Sequence, residues 1–372
     1  MKYIDEFRDQ ALARRIAQAI GREVRPGRQY RLMEFCGGHT HAIFRYGINT
    51  LMPASVEFVH GPGCPVCVLP TARLDQALAM VDRFDVILCT YGDMMRVPGG
   101  SRRSLIQAKA GGADIRMVYS TGDALAIAAD NPGRQVVFFA IGFETTAPAS
   151  AVAVKQARAQ GLANFSLYCN HVLTPAALEA VFDDTETVAV DALLGPSHVS
   201  TIIGSGAYEP FARRYGRPVV IAGFEPLDVM QSVLMAIRLC HEGRAVVENE
   251  YSRAVSRAGN RKAQALMDEV FELRERFEWR GLGDIPRSAL RLRREFAEFD
   301  AEQRFPVVPP QRADLKACRC PEVLRGQIKP LQCALFGQAC TPENPLGACM
   351  VSSEGACAAY WHYGRGQGSV AR

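Results

Sequence analysis

An α/β protein is the fold class this sequence predicts: two parallel-sheet α/β domains followed by a helical and cysteine-rich C-terminal domain suited to an iron-sulfur group. Three observations predict it. Short β-branched or aromatic runs alternate with helix-patterned stretches over the first 223 residues, the signature of parallel α/β layers. Apolar residues then recur at three-to-four spacing from Leu227 to Phe299, a helical period. Finally, six cysteines fall between Cys318 and Cys357, among glycines and prolines.

In chain order, the first strands are expected at "YRLMEF", "VEFVH", "DVILCT" and "IRMVYS". The "DNPGRQ" break follows, and its Asn-Pro-Gly run punctuates the chain. After it come "VVFFAI", "FSLYC", "VDALLG" and "PVVIAG". This places domains at 1–130, 131–240 and 241–372. Two segments, "VVFFAIGFETTAP" and "PVVIAGFEPLDV", each run a strand into Gly-Phe-Glu, a short internal echo. "ALMDEVFELRERF" carries apolar residues on one helical face and charges on the other. "RFPVVPPQ" reads as a linker to the cysteine-rich tail, which is expected to be a separate unit.

Composition bounds the function. The chain has 372 residues, 48% of them hydrophobic and 22% charged, enough to bury cores without disulfides. Its net charge of +4 comes without a basic-aromatic block, so nucleic acid is not an expected partner. "MKYIDEFRDQALARR" lacks the apolar stretch of a secretion signal, and no later run reaches the ~18 residues that span a bilayer. The expectation is a cytoplasmic protein with no membrane association. In a reducing compartment its 12 cysteines point to metal ligation or redox chemistry rather than a disulfide framework. A Gly-Lys dipeptide is absent, and with it a Walker A loop. So is the tight three-cysteine cluster of radical S-adenosylmethionine enzymes.

Three thiols stand out before the tail. "GPGCPVC" sets Cys64 and Cys67 two residues apart behind a Gly-Pro turn, a pattern open to half a metal site, a redox pair or burial. "EFCGGHTHAIFRYG" places Cys36 after a strand at a Gly-Gly turn, with His39 and His41 on the same side if the chain is extended. Parallel α/β sheets carry their sites beyond the carboxyl ends of the strands. Cys36, Cys64, Cys67, "YGDMMRVPGG" and "GFETTAP" all fall there. In "GFETTAP", Glu144 is a candidate to orient a site group, while Thr145 and Thr146 suit helix capping. "RVPGGSRRSL", with Arg102 and Arg103, reads as an anion cradle or as a plain loop with a basic end. The tail has too little apolar mass for its own core and calls for a metal staple. Its one close pair, Cys318 and Cys320, with singles at Cys333, Cys340, Cys349 and Cys357, suits an iron-sulfur cluster better than a zinc ribbon.

Together "EFCGGHTHAIFRYG", "HGPGCPVC", "GFETTAP" and "GACMVSSEGACAAY", in that order along essentially the whole chain, resemble the HypD family of NiFe-hydrogenase maturation factors. The resemblance implies a redox-active scaffold that assembles the Fe(CN)2CO unit. It implies a complex with the HypC chaperone, which shares the iron transiently, and cyanide delivered by HypE. By the same likeness Cys36 is the thiol near that iron, with His41 beside it, and Cys64 and Cys67 are a redox dithiol. Cys318, Cys333, Cys340 and Cys357 match the ligands of a 4Fe-4S cluster, with Cys320 and Cys349 near enough to substitute. The competing readings are an autonomous iron-sulfur-dependent protein disulfide reductase and a zinc-stapled binding protein.

Overall fold

The computed structural model describes residues 5–183, 189–308 and 317–364. Among these residues nine strands form two parallel sheets. The first sheet contains β1 (Tyr30–Glu34), β2 (Val56–His60), β7 (Ala192–Gly195), β8 (Val219–Ile221) and β9 (Val247–Asn249), in the order β2-β1-β7-β8-β9. The second contains β3 (Val86–Thr90), β4 (Ile115–Met117), β5 (Gln135–Gly142) and β6 (Phe165–His171), in the order β4-β3-β5-β6. The expected strand runs all lie on these elements.

The reason for the continuous apolar runs is burial on both faces, the condition of parallel sheets covered by helices. Along β5, Val136, Phe138 and Ala140 point into an outer core with Ala151 and Val154 of the helix Ala147–Ala159. Val137, Phe139 and Ile141 point the other way, into a core shared by both sheets. The first sheet alternates likewise. Met33 and Val59 enter the shared core, while Leu32 and Phe58 pack under the helices Gln10–Glu23 and Pro226–Glu242.

Pairing does not follow the boundary expected at residue 130. β3 and β4 precede it and β5 and β6 follow it, yet these four make one sheet; β1, with β2 on its other side, pairs with β7 after residue 190. The Asn-Pro-Gly break is a local turn, whereas sheet membership is decided by non-local burial, which a break in the chain does not report.

The segment after Leu227 is also less helical than its spacing predicts. The helix Arg261–Val270 ends within "ALMDEVFELRERF", and antiparallel ribbons follow: β10 (Phe271–Leu273) pairs with β13 (Leu290–Leu292), and β11 (Arg276–Trp279) with β12 (Gly283–Pro286). Phe277 and Trp279 are buried while Arg276 and Glu278 face out. Period-two burial over so short a run is hard to tell from a helical period. The tail, expected as a separate unit, supplies Cys320, Cys340, Cys349 and Cys357 to the shared core beside Phe35, Cys67 and Trp279. The linker expected over "RFPVVPPQ" lies outside the described residues from 309 onward, and Val307 before it is buried. Among the described residues no helix is long and apolar enough to cross a membrane.

A thiol-lined cleft as the candidate functional site

Each sheet reverses its strand order once, between β1 and β7 and between β3 and β5, and crevices beyond such reversals are where open α/β sheets bind ligands. Here the two carboxyl edges face one another across a cleft of about 650 Å3. Cys36 follows β1, Asp93 and Tyr91 follow β3, Thr145 and Thr146 follow β5, and His198 follows β7; Glu354 of the tail joins them.

Cys36 is 7% exposed and sits at the N-cap of the helix Gly37–Arg45. Its backbone N–H donates to Glu34 Oε2 at 3.2 Å. Burial, with Glu354 and Glu34 nearby, pushes its thiol well above the usual value, so it is neutral until a metal or base takes its proton. Glu34 is the cross-strand partner of His60 in the β1–β2 register. It accepts from His60 Nδ1 at 2.6 Å and from the Thr40 hydroxyl. His60 Nε2 lies 3.4 Å from the Tyr360 hydroxyl.

Two glycines bring the second thiol motif against the first. A Cβ on Gly63 would lie 2.5 Å from Cys36 N and 2.6 Å from its Cα, and Gly63 O accepts from Gly37 N. Immediately behind, Cys64 caps the short helix Pro65–Val68, accepting from Cys67 N at 3.1 Å. Cys64 and Cys67 are joined as a disulfide with Cα atoms 5.2 Å apart, at 3% and 0% exposure. Cys67 Sγ in turn lies 4.0 Å from the carbonyl of Ala348, the neighbour of Cys349.

In the tail, Cys320, Cys349 and Cys357 hydrogen-bond one another, and Cys318 bonds Cys320. The bonds from Cys320 and Cys357 hold the Cys349 thiol below its usual value, and Cys357 is correspondingly raised. Gly347 is packed against this group: a Cβ there would meet Cys318 Sγ at 2.5 Å and Cys320 Sγ at 2.7 Å. Cys340 accepts from Leu346 N at 3.4 Å, and burial raises its thiol, with Cys318 and Cys320 nearby. Cys333 is half-buried, near Arg319. Thus Cys318, Cys340 and Cys357 of the expected ligands gather with Cys320 and Cys349, and Cys333 lies near Arg319, the residue between Cys318 and Cys320. Among the described residues no three His, Cys, Asp or Glu side chains already surround a point as metal ligands do; the thiols touch one another instead.

The histidines are separated, because the segment is helical rather than extended and residues two apart face opposite sides. His39 is fully buried against Ser197 Oγ and Ala222 O, and burial pulls it down to about 4. His41 packs on Tyr363, and burial lowers it too. Glu144 lies beside the cleft without lining it: its carboxylate accepts from Thr174 N and Oγ1 at 2.8 and 2.9 Å, and burial raises it to about 7. Thr146 occupies an N-cap, but its hydroxyl donates back to the Ile141 and Phe143 carbonyls. "RVPGGSRRSL" forms a capping box between Ser104 and Gln107, and Arg103 pairs with Asp82.

Glu34, His60, His198 and Glu354 were not foreseen. His60 and Glu354 lie inside motifs picked out for their cysteines, and His198 in "GPSHVS" follows an expected strand, which was the available signal.

Fold and site together define a two-sheet α/β thiol protein with a buried disulfide between an open cleft and a cysteine-rich core. The chain belongs to the HypD family: the model described as "HypD: Hydrogenase formation hypA family" matches residues 11–364. It is 60% identical over 374 residues to the hydrogenase maturation factor HypD of Azotobacter vinelandii, covering 100% of this chain and 99% of that one. It is 60% identical to the hydrogenase expression/formation protein HupD of Azotobacter chroococcum mcd 1, covering 98% and 97%. The Escherichia coli K12 hydrogenase maturation factor HypD is 46% identical, covering 98% of each.

Proposed function

We propose that this hydrogenase maturation factor is the redox-active scaffold on which the Fe(CN)2CO unit of NiFe hydrogenase is assembled, in complex with a HypC-type chaperone and with cyanide delivered by a HypE-type donor. The observation that carries the reading is the order of the thiols. Cys36 opens into the cleft, Cys64 and Cys67 lie directly behind it, and Cys67 abuts the segment of Cys349.

Cys36 is the soft thiolate that holds the chaperone-borne iron, which is the substrate. Metal binding displaces its proton, and the cleft has room for a partner's loop beside it. The tail's donor set fits a 4Fe-4S group: several buried thiols in contact with one another, cradled by a glycine whose Cβ would fill their space. Cys318, Cys333, Cys340 and Cys357 would hold it, with Cys320 or Cys349 as substitutes. Bound there, the group supplies single electrons. The Cys64–Cys67 disulfide takes up two electrons and two protons to become two thiols.

Burial of both sulfurs disfavours an autonomous reductase, which must present its dithiol to a protein disulfide. Infrared spectra of the complex purified without air provide the test. Wild type should carry CO and CN bands and Cys36→Ala should lose them while keeping its iron-sulfur absorbance; unchanged bands in the variant would overturn the role of Cys36.

A further inference from the structure

Glu34 and His60 stand at the heads of the two thiol motifs, in "EFCGG" before Cys36 and in "HGPGC" before Cys64. They close β1 and β2, and the strand register sets them side by side. Both are buried, at 1% and 5% exposure. A buried carboxylate is costly unless its oxygens are satisfied, and here each oxygen is. Oε1 accepts from His60 Nδ1 at 2.6 Å and from the Thr40 hydroxyl, while Oε2 accepts from the backbone N–H of Cys36 at 3.2 Å. The imidazole packs against the rings of Phe44 and Tyr360, with centroids 5.8 and 5.5 Å away, and these restrict its rotation.

The carbonyl of Cys36 is held as well, accepting from His39 N at 2.9 Å and from Thr40 N at 3.2 Å. With both backbone groups fixed, the freedom left to Cys36 is that of its side chain, which lines the cleft. The second motif hangs from the same glutamate, because Gly61 N donates to the Glu34 carbonyl at 2.9 Å.

We propose that Glu34, held by His60, is the positioning residue for Cys36: its carboxylate anchors the backbone of that thiol in register with the Cys64 turn, so that the sulfur meets the partner-borne iron in one place. The proposal rests on the reading of Cys36 as the iron-binding thiolate. Glu34 acts through the backbone and is not itself a ligand. Groups that orient a metal ligand from behind typically contribute about 10–100-fold in metal affinity.

Infrared spectra of the complex purified without air, read per mole of complex beside thermal melts, wild type and Cys36→Ala, test it. Glu34→Leu keeps the bulk of the side chain and removes both acceptors, and its CO and CN bands should fall about tenfold. Glu34→Gln is the rescue. Its amide oxygen still accepts from Cys36 N, and its amide nitrogen donates to the imidazole once that ring carries its proton on Nε2, so its bands should stay near wild type. A merely structural glutamate would lower the melting temperature of the Leu variant and leave its bands at full strength; that result overturns the proposal, as does an equal loss in the Gln variant. Should the Leu variant fail to fold, His60→Phe is read instead. It keeps a ring against Phe44 and Tyr360 but releases the carboxylate, and a smaller loss of the bands is expected; no loss there overturns the proposal too. Bands that persist in Cys36→Ala overturn the reading of Cys36 and this proposal with it, an outcome that control separates from a failure of Glu34 alone.

Discussion

Gly63 and Cys36 meet backbone to backbone, and their contact explains why a turn without a side chain stands before Cys64. Gly63→Ala should therefore destabilise the protein by about 1–3 kcal/mol, since the new methyl lands on backbone that cannot swing aside. Thermal unfolding measures this, and a melting temperature equal to wild type would show that the two loops separate easily. The thiols at this scale were legible in the sequence, because cysteines at strand ends and in a CxxC pair are conspicuous. The partners that set their environment were not. Glu34 and His60 are 26 residues apart and meet only through the β1–β2 register. The expected pairing of His39 with His41 required an extended backbone, and the helix there sends one toward Ser197 and the other toward Tyr363.

The turn Cys64–Val68 is short, capped by its own first sulfur, and holds its two thiols at disulfide spacing. Mild oxidation followed by alkylation and mass mapping should protect both thiols together in wild type, while Cys64→Ala leaves Cys67 alkylatable after denaturation. Wild-type protein with both thiols fully alkylated would rule out the dithiol. A second element depends on Gly142, whose φ of +147° is left-handed territory and whose Cβ would collide with Thr146 Oγ1. Gly142→Ala should cost about 1–3 kcal/mol and loosen the turn between β5 and its helix, measurable as faster hydrogen exchange at Thr145 and Thr146. The parallel strands were readable because burial on both faces writes itself as an unbroken apolar run. β10 and β11 were not, since three or four residues of alternation in "FELRERFEW" also satisfy a helical face.

Distant parts of the chain are joined by a charge cluster on the second sheet. Glu302 accepts from Arg73 at 2.5 Å and from Arg274. Burial alone would raise this carboxyl, yet the two guanidinium groups hold it down at about 2 instead of 4.5. Its folded value is the lower one, so its contribution is complete above pH 4.5 and is lost as the pH falls toward 2. Urea midpoints should decline over that window in wild type and less so in Glu302→Gln. At neutral pH the variant should be weaker by about 1–3 kcal/mol, because two part-buried cations lose their anion; equal midpoints would show the cluster to be inert. The arrangement of the sheets carries a different consequence, for the order of events during synthesis. β1 and β2 emerge from the ribosome early, but β1 lacks its second neighbour β7 until residues 192–195 are made. The second sheet, complete by residue 171, is encoded entirely inside that gap. The nascent chain therefore carries two of the five strands of the first sheet, with Cys36, Cys64 and Cys67 after them, throughout the synthesis of the whole second sheet. Long-range strand pairing of this kind is slow and exposes unpaired edges to aggregation.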